Sequence, residues 1–365
     1  MSQEAEVLFK IIKMTLGNGS DASLPDAVNW DGVYQLAIHQ GVIALSWNEY
    51  MSQHSDKLGI DEELKYKWIG QQMVVLMTNQ KQWNAARELS ALWTLNDIKA
   101  VVLKGISYAV LYPNPLFRRC CDLDSFLFDN WEKGNKTVEM DGFTVSRKYY
   151  KDSSFDFKGL HVENHRYCTP IRGGKMRKRY ELFLRSLLSD GPLEKVGGTD
   201  FMSPPPLFNI LFFLSHAKNH FLNEGGIQLR HVCDWGVLMK SYAQDTKESC
   251  CKSEDMWNEV LERCKEFDLL KFMYSISQVA RRVCGVDIPF SCPVNIQADN
   301  AMIEEIVSPT CVSVEFSKGW YTRYKLIKST IQSRWKFEYY SEKSMIQSLF
   351  SSGMSFLFEK NPVLK

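Results

Sequence analysis

Asp122 and Asp124 stand one residue apart in "RRCCDLDSFLF", Arg118 to Phe128, an otherwise largely apolar run. An isolated carboxylate is expensive to bury, and two close together also repel. On a β-strand, positions i and i+2 project to one face. Read as a strand, the run points both acids the same way while Leu123 serves an apolar core on the other side. Such a strand demands a cation. Mg²⁺, which takes oxygen ligands in octahedral geometry and keeps several waters, is the natural occupant.

What precedes the diaspartate fits that reading. "IKAVVLKG" is a short β-rich run that stops at Gly105, and "ISYAVLY" follows with helical spacing. A strand that ends in glycine and opens a helix offers backbone N–H groups to an anion. Lys104 and Ser107 flank the glycine, and Arg118 and Arg119 lie just before the acids, where a guanidinium can grip phosphate oxygens. Phosphates near a glycine turn and metal on paired carboxylates describe phosphoryl or nucleotidyl transfer.

Around this stretch the periodicity divides the chain into three. Residues 1–95 carry apolar residues three and four apart and read as a helical bundle. Residues 96–172 read as an α/β core, with "FTVSRKYY" and "FDFKGLHVENHRYC" as two alternating runs joined by "KDSS". Residues 173–365 return to helical spacing, starting near "SPPPLFNILFFLSHAKNHFL". The fold class is α+β: a small mixed sheet of four or five strands flanked by N-terminal and C-terminal helical regions, the latter closing a cleft.

Composition excludes several classes. A net charge of +1 gives no global pull toward nucleic acid or a membrane surface. The start, "MSQEAEVLFKIIKMTL", has charges through its apolar residues and no signal-peptide core, and no apolar stretch approaches a membrane span. The ten cysteines contain no CxxC, which points to reduced thiols in a cytoplasmic protein. "IRGGKMRKRY" places five basic residues between Arg172 and Arg179; it reads as a solvated loop leading into a helix, with RNA contact the competing explanation. His216 and His220 are four apart and share a helix face, but "HAKNH" lacks the glutamate of a zinc-protease motif. They line the active-site cleft or pack as satisfied histidines. Arg230 and Asp234 are spaced for a helical ion pair, with Arg230 in a nucleotide pocket as the competitor.

"LKGISYAVLYPNPLFRRCCDLDSFLF", with "HVENHRY" and "LFFLSHAKNHFLNEGGIQLRHVCDWGVLM" downstream, resembles a family of bacterial uncharacterised nucleotidyltransferases within the DNA-polymerase-β-like superfamily. The resemblance implies that Asp122 and Asp124 bind two Mg²⁺ ions, with Glu163 as third acid and base for the attacking hydroxyl. It implies further that Gly105 and Ser107 cradle the triphosphate while Lys104 and Arg118 neutralise it. Here Gly105 is followed by Ile106 rather than by serine or glycine, and the third acid is Glu, with His165 two residues on as a hydrogen-bonding partner or direct ligand. The expected function is Mg²⁺-dependent transfer of an NMP from an NTP to a hydroxyl or phosphate acceptor, small or macromolecular, with release of pyrophosphate. A nucleotide-binding sensor or scaffold, and a transferase acting on RNA ends, are the alternatives.

Overall fold

Short polar side chains cap the first helices. Ser2 Oγ accepts from the Ala5 amide, Asn29 Oδ1 from Gly32, and Asn48 Oδ1 from Met51. The computed structural model describes residues 1–19, 24–25, 27–170, 174–223, 225–243, 253–309 and 333–347. The chain begins with α1 (Gln3–Thr15), α2 (Trp30–His39), α3 (Glu49–His54) and the long α4 (Glu62–Leu95). There follow β1 (Val101–Val102), α5 (Ile106–Ala109), β2 (Leu123–Phe126), α6 (Trp131–Met140), β3 (Asp152–Phe157) and β4 (Leu160–His165). Next come α7 (Lys175–Asp190), β5 (Glu194–Lys195), β6 (Met202–Ser203), α8 (Pro206–Asn223) and α9 (Leu229–Tyr242). The last described helices are α10 (Ser253–Glu266), α11 (Leu270–Cys284), α12 (Ile296–Val307) and α13 (Arg334–Tyr340).

The class is α+β, as the periodicity indicates: one mixed sheet, with helical regions at both ends of the chain. Contacts define two compact units. The described residues of 1–73 and 213–347 form one, and residues 74–212 form the other. No helix among the described residues is long and apolar enough to cross a membrane. The described cysteines are free thiols; all but Cys121 and Cys292 are buried.

The first unit is helical. Within it α11 packs against α1, α9, α12 and α13. It buries an ion pair between Lys336 and Glu305 at 2.7 Å, both 2% exposed.

The second unit holds the sheet, in the order β3-β4-β2-β1-β6-β5. β2 runs parallel to β4 and antiparallel to β1, and β3 and β4 form a hairpin. The sheet has two different faces. Leu123, Val162, Phe155 and Phe157 point into a core shared with Trp83, Ala86, Leu89 and Trp93 of α4. A buried polar knot adds register on that face: Ser153 Oγ and Asn164 Nδ2 both donate to Asn135 Oδ1 of α6 at 2.8 Å.

Three expectations need correction. "FTVSRKYY" is not a strand and makes one isolated bridge, Ser146 to Ser154. The hairpin turn falls inside the second run, at Lys158–Gly159, and "KDSS" instead enters β3. Lys158 and Gly159 have φ of 50° and 83°, and positive φ at both central residues is what a two-residue turn of matching twist requires. The sheet also gains β5 and β6 from a region read as helical, giving six strands rather than four or five. Strands of two residues are too short to show alternation.

Candidate active site

The parallel register of β2 and β4 sets Asp124 directly beside Glu163, and Phe126 beside His165. Residues two apart share a face, so Asp124, Glu163 and His165 project together on the face opposite the α4 core. Their potential ligand atoms all lie within 4.8 Å of one another. His165 Nε2 is 2.9 Å from Asp124 Oδ1 and 3.5 Å from Glu163 Oε2. Asp124 and His165 are almost fully buried, whereas Glu163 is about one-third exposed.

Lys104 completes the cluster. It leaves the chain just after β1, whose neighbour in the sheet is β2, and the Leu103 amide donates to the Asp124 carbonyl. Its Nζ sits 3.2 Å from Asp124 Oδ2 and 3.4 Å from Asp122 Oδ2. Asp122 lies one residue before β2 and is one-third exposed. Burial by itself would push the Lys104 ammonium toward neutrality, but Asp124 and Asp122 outweigh it and hold its pKa above the ordinary value.

His165 has acceptors at both ring nitrogens. Nδ1 donates to the Tyr167 carbonyl at 3.2 Å and Nε2 donates to Asp124. Burial and Lys151 oppose the charge, yet the bonds to Asp124 and Glu163 prevail and raise the His165 pKa. The bond from His165 in turn lowers the Glu163 pKa, against burial and the Asp124 charge. The Tyr167 carbonyl also selects the tautomer with hydrogen on Nδ1, which directs the Nε2 lone pair at the carboxylates whenever that nitrogen gives up its proton.

The preceding turn is tight. Gly105 has φ 72°, and a Cβ there would stand 3.3 Å from the Asp122 carbonyl, so glycine answers both the backbone angle and the close approach. The helix it opens is one turn, shorter than the spacing of "ISYAVLY" suggests. Ser107 in that turn is buried, and its hydroxyl has no hydrogen-bond partner among the described residues. Arg118 lies over the Tyr108 ring, with its carbon 5.7 Å from the centroid, and donates to Cys120 Sγ.

Sequence reasoning missed the supports of this site. Asn79 of α4 is buried, donates to the carbonyls of Leu116 and Arg118 and accepts from the Cys120 amide, so it fixes the segment leading to Asp122. Glu181 of α7 is fully buried and accepts from the Cys168 and Thr169 amides and from Arg185, anchoring the chain just after β4. The Glu181–Arg185 pair is a local i,i+4 contact on α7, but the backbone groups that Asn79 and Glu181 hold are more than ten residues away, so no local pattern marks their supporting role.

His216, His220 and Arg230 belong to the helical unit rather than the sheet unit. His216 and His220 bond each other through their Nε2 atoms at 3.1 Å, and the His220 ring stacks on His231. Arg230 packs its stem on Gly41. Of the basic stretch, Arg172 lies outside the described residues, and Lys175, Arg177, Lys178 and Arg179 stand in the first turns of α7.

Two carboxylates and an imidazole that could hold a metal ion share one sheet face of this α+β protein, with a third acid and a lysine at their edge. The model of a family described as uncharacterised nucleotidyltransferase matches residues 26–285, well over half of the chain, and the protein belongs to that family. No curated protein and no solved structure matches it.

Proposed function

We propose that this chain transfers a nucleoside monophosphate from an NTP to a hydroxyl or phosphate acceptor, with release of pyrophosphate, in a Mg²⁺-dependent reaction. The observation that carries the reading is the clustering of Asp124, Glu163 and His165 within 4.8 Å on the sheet face opposite the α4 core. The donor set fits a divalent cation: carboxylate oxygens suit Mg²⁺ or Mn²⁺, and the tautomer favoured by Tyr167 leaves His165 Nε2 able to join or to brace Asp124. When bound, such an ion supplies charge stabilisation at the transferring phosphoryl group and activates the attacking oxygen.

The chain's own residues take the following roles. Asp124 and Glu163 hold one cation, and Asp122 with Asp124 a second. Glu163 is kept ionised by its bond from His165, which supports a ligand role over that of proton acceptor, since a lowered pKa makes a weaker base. Gly105 lets backbone come close, and the buried Ser107 hydroxyl supplies a donor to a phosphate oxygen. Lys104 and Arg118 neutralise the triphosphate. The acceptor is a further substrate whose class these residues do not select.

Calorimetric titration of ATP, GTP, CTP and UTP, with and without Mg²⁺, into wild type and Asp124→Asn tests the reading. Binding that needs the metal and disappears in the variant is expected, and it names the donor nucleotide. Equal binding by both proteins would overturn the assignment.

A further inference from the structure

The seat described above is already occupied by the chain's own cations. Asp124 spends both carboxylate oxygens on them: Oδ1 faces His165 Nε2 at 2.9 Å and Oδ2 faces Lys104 Nζ at 3.2 Å. Asp122 turns its Oδ2 to the same ammonium at 3.4 Å. A divalent ion ligated by these oxygens would stand about 2.0–2.1 Å from them. It would then share a few ångströms with a lysine that is 17% exposed, so that little water screens the two charges. The ion and the ammonium therefore compete for the same carboxylate oxygens.

We infer that Lys104 is a resident counter-cation that gates metal entry. It neutralises Asp122 and Asp124 in the metal-free protein, leaves when a divalent ion arrives, and only then reaches the phosphates of the nucleotide. This last step rests on the proposed nucleotidyl transfer. The architecture allows the side chain to move alone. The backbone on either side is held, by the Leu103 amide on Asp124 and by the tight turn at Gly105, while the lysine stem carries four rotatable bonds. The consequence is coupling. Metal without nucleotide must evict Lys104 into water, whereas metal with nucleotide offers it a phosphate instead, so each ligand strengthens the other. A purely structural pair, holding the end of β1 to β2, would produce no such coupling.

Mn²⁺ serves as the probe, titrated calorimetrically into the metal-free full chain as wild type and as Lys104→Met. Removing the competitor should tighten Mn²⁺ binding about tenfold, within the roughly 5- to 150-fold common for coupled sites. The variant should also melt lower than wild type without metal and regain stability with Mn²⁺. Should the Met variant not fold, Lys104→Gln keeps a hydrogen-bond donor toward the carboxylates without the charge. Unchanged or weaker Mn²⁺ affinity would overturn the inference, as would no Mn²⁺ binding by either protein. NTP titrations at saturating Mn²⁺ separate the two proposals. Weaker NTP binding by the variant supports the handover of Lys104 to phosphate. Tighter Mn²⁺ binding with no NTP binding in either protein upholds the gate and removes the nucleotide reading.

Discussion

Two of the buried lysine–carboxylate clusters among the described residues, one in each unit, are built differently. In the helical unit Lys336 meets Glu305 at 2.7 Å, both sealed from solvent, and Lys336 also donates to the Phe221 carbonyl and lies over the Phe221 ring. The two charges of this pair balance. In the sheet unit Lys104 faces two aspartates, with Glu163 and His165 on the same surface, and Asp122 and Glu163 each remain about one-third exposed. That cluster holds three acids and is open on one side. The ratio of charges and the access of solvent, rather than burial of an ion pair as such, separate a structural pair from a site with chemistry.

Breaking the sealed pair should have the largest effect on stability. Lys336→Met takes the cation away from the buried Glu305 carboxylate, which costs about 3–5 kcal/mol in comparable pairs. Urea denaturation should record that loss, and the double variant Lys336→Met/Glu305→Leu should recover most of it. If the single variant lost less stability than Lys104→Met, the contrast between the clusters would be wrong.

Asn79→Ala comes next and acts on the open cluster from behind. Three hydrogen bonds disappear and two carbonyls lose a donor, a cost of about 2 kcal/mol at a buried position. Because the segment from Leu116 to Cys120 leads directly to Asp122, Mn²⁺ affinity should fall together with stability. A loss of stability with unaltered Mn²⁺ affinity would make Asn79 a fold residue only.

The smallest expected effect is a pH dependence. The His165 pKa is raised in the folded, metal-free protein, so its contribution to stability is complete below the ordinary value of 6.5 and is lost as pH rises through the higher folded value. Denaturation midpoints of wild type should therefore decline relative to His165→Gln as pH rises above about 6.5. Parallel profiles would mean that His165 is neutral beside Asp124.

Much of the site was legible because its information is local. Asp122 and Asp124 are two apart in an apolar run, Lys104 and Gly105 close the strand before them, and Glu163 and His165 are two apart on another strand. Spacing of two on a strand means one face, wherever the strand ends up. The class of fold followed from periodicity in the same way, since long helical runs on both sides of a β-rich segment admit few other architectures. The turn at Lys158–Gly159 was also written locally, in a residue pair that accepts positive φ, and was overlooked beneath the alternation running through it.

What only the tertiary structure decided is which local features meet. The parallel pairing of β2 with β4 places Asp124 beside Glu163, 39 positions along the chain, and no periodicity encodes that register. The same pairing makes His165 a partner of Asp124, and the antiparallel pairing of β1 with β2 brings Lys104 between the aspartates. Asn79, Asn135 and Glu181 look like ordinary polar helix residues until their partners arrive from distant segments. Residue chemistry and spacing determine what each strand can present. Hydrogen bonding between strands, backed by an apolar core on the other face, determines that three acids, a lysine and a histidine share one small volume.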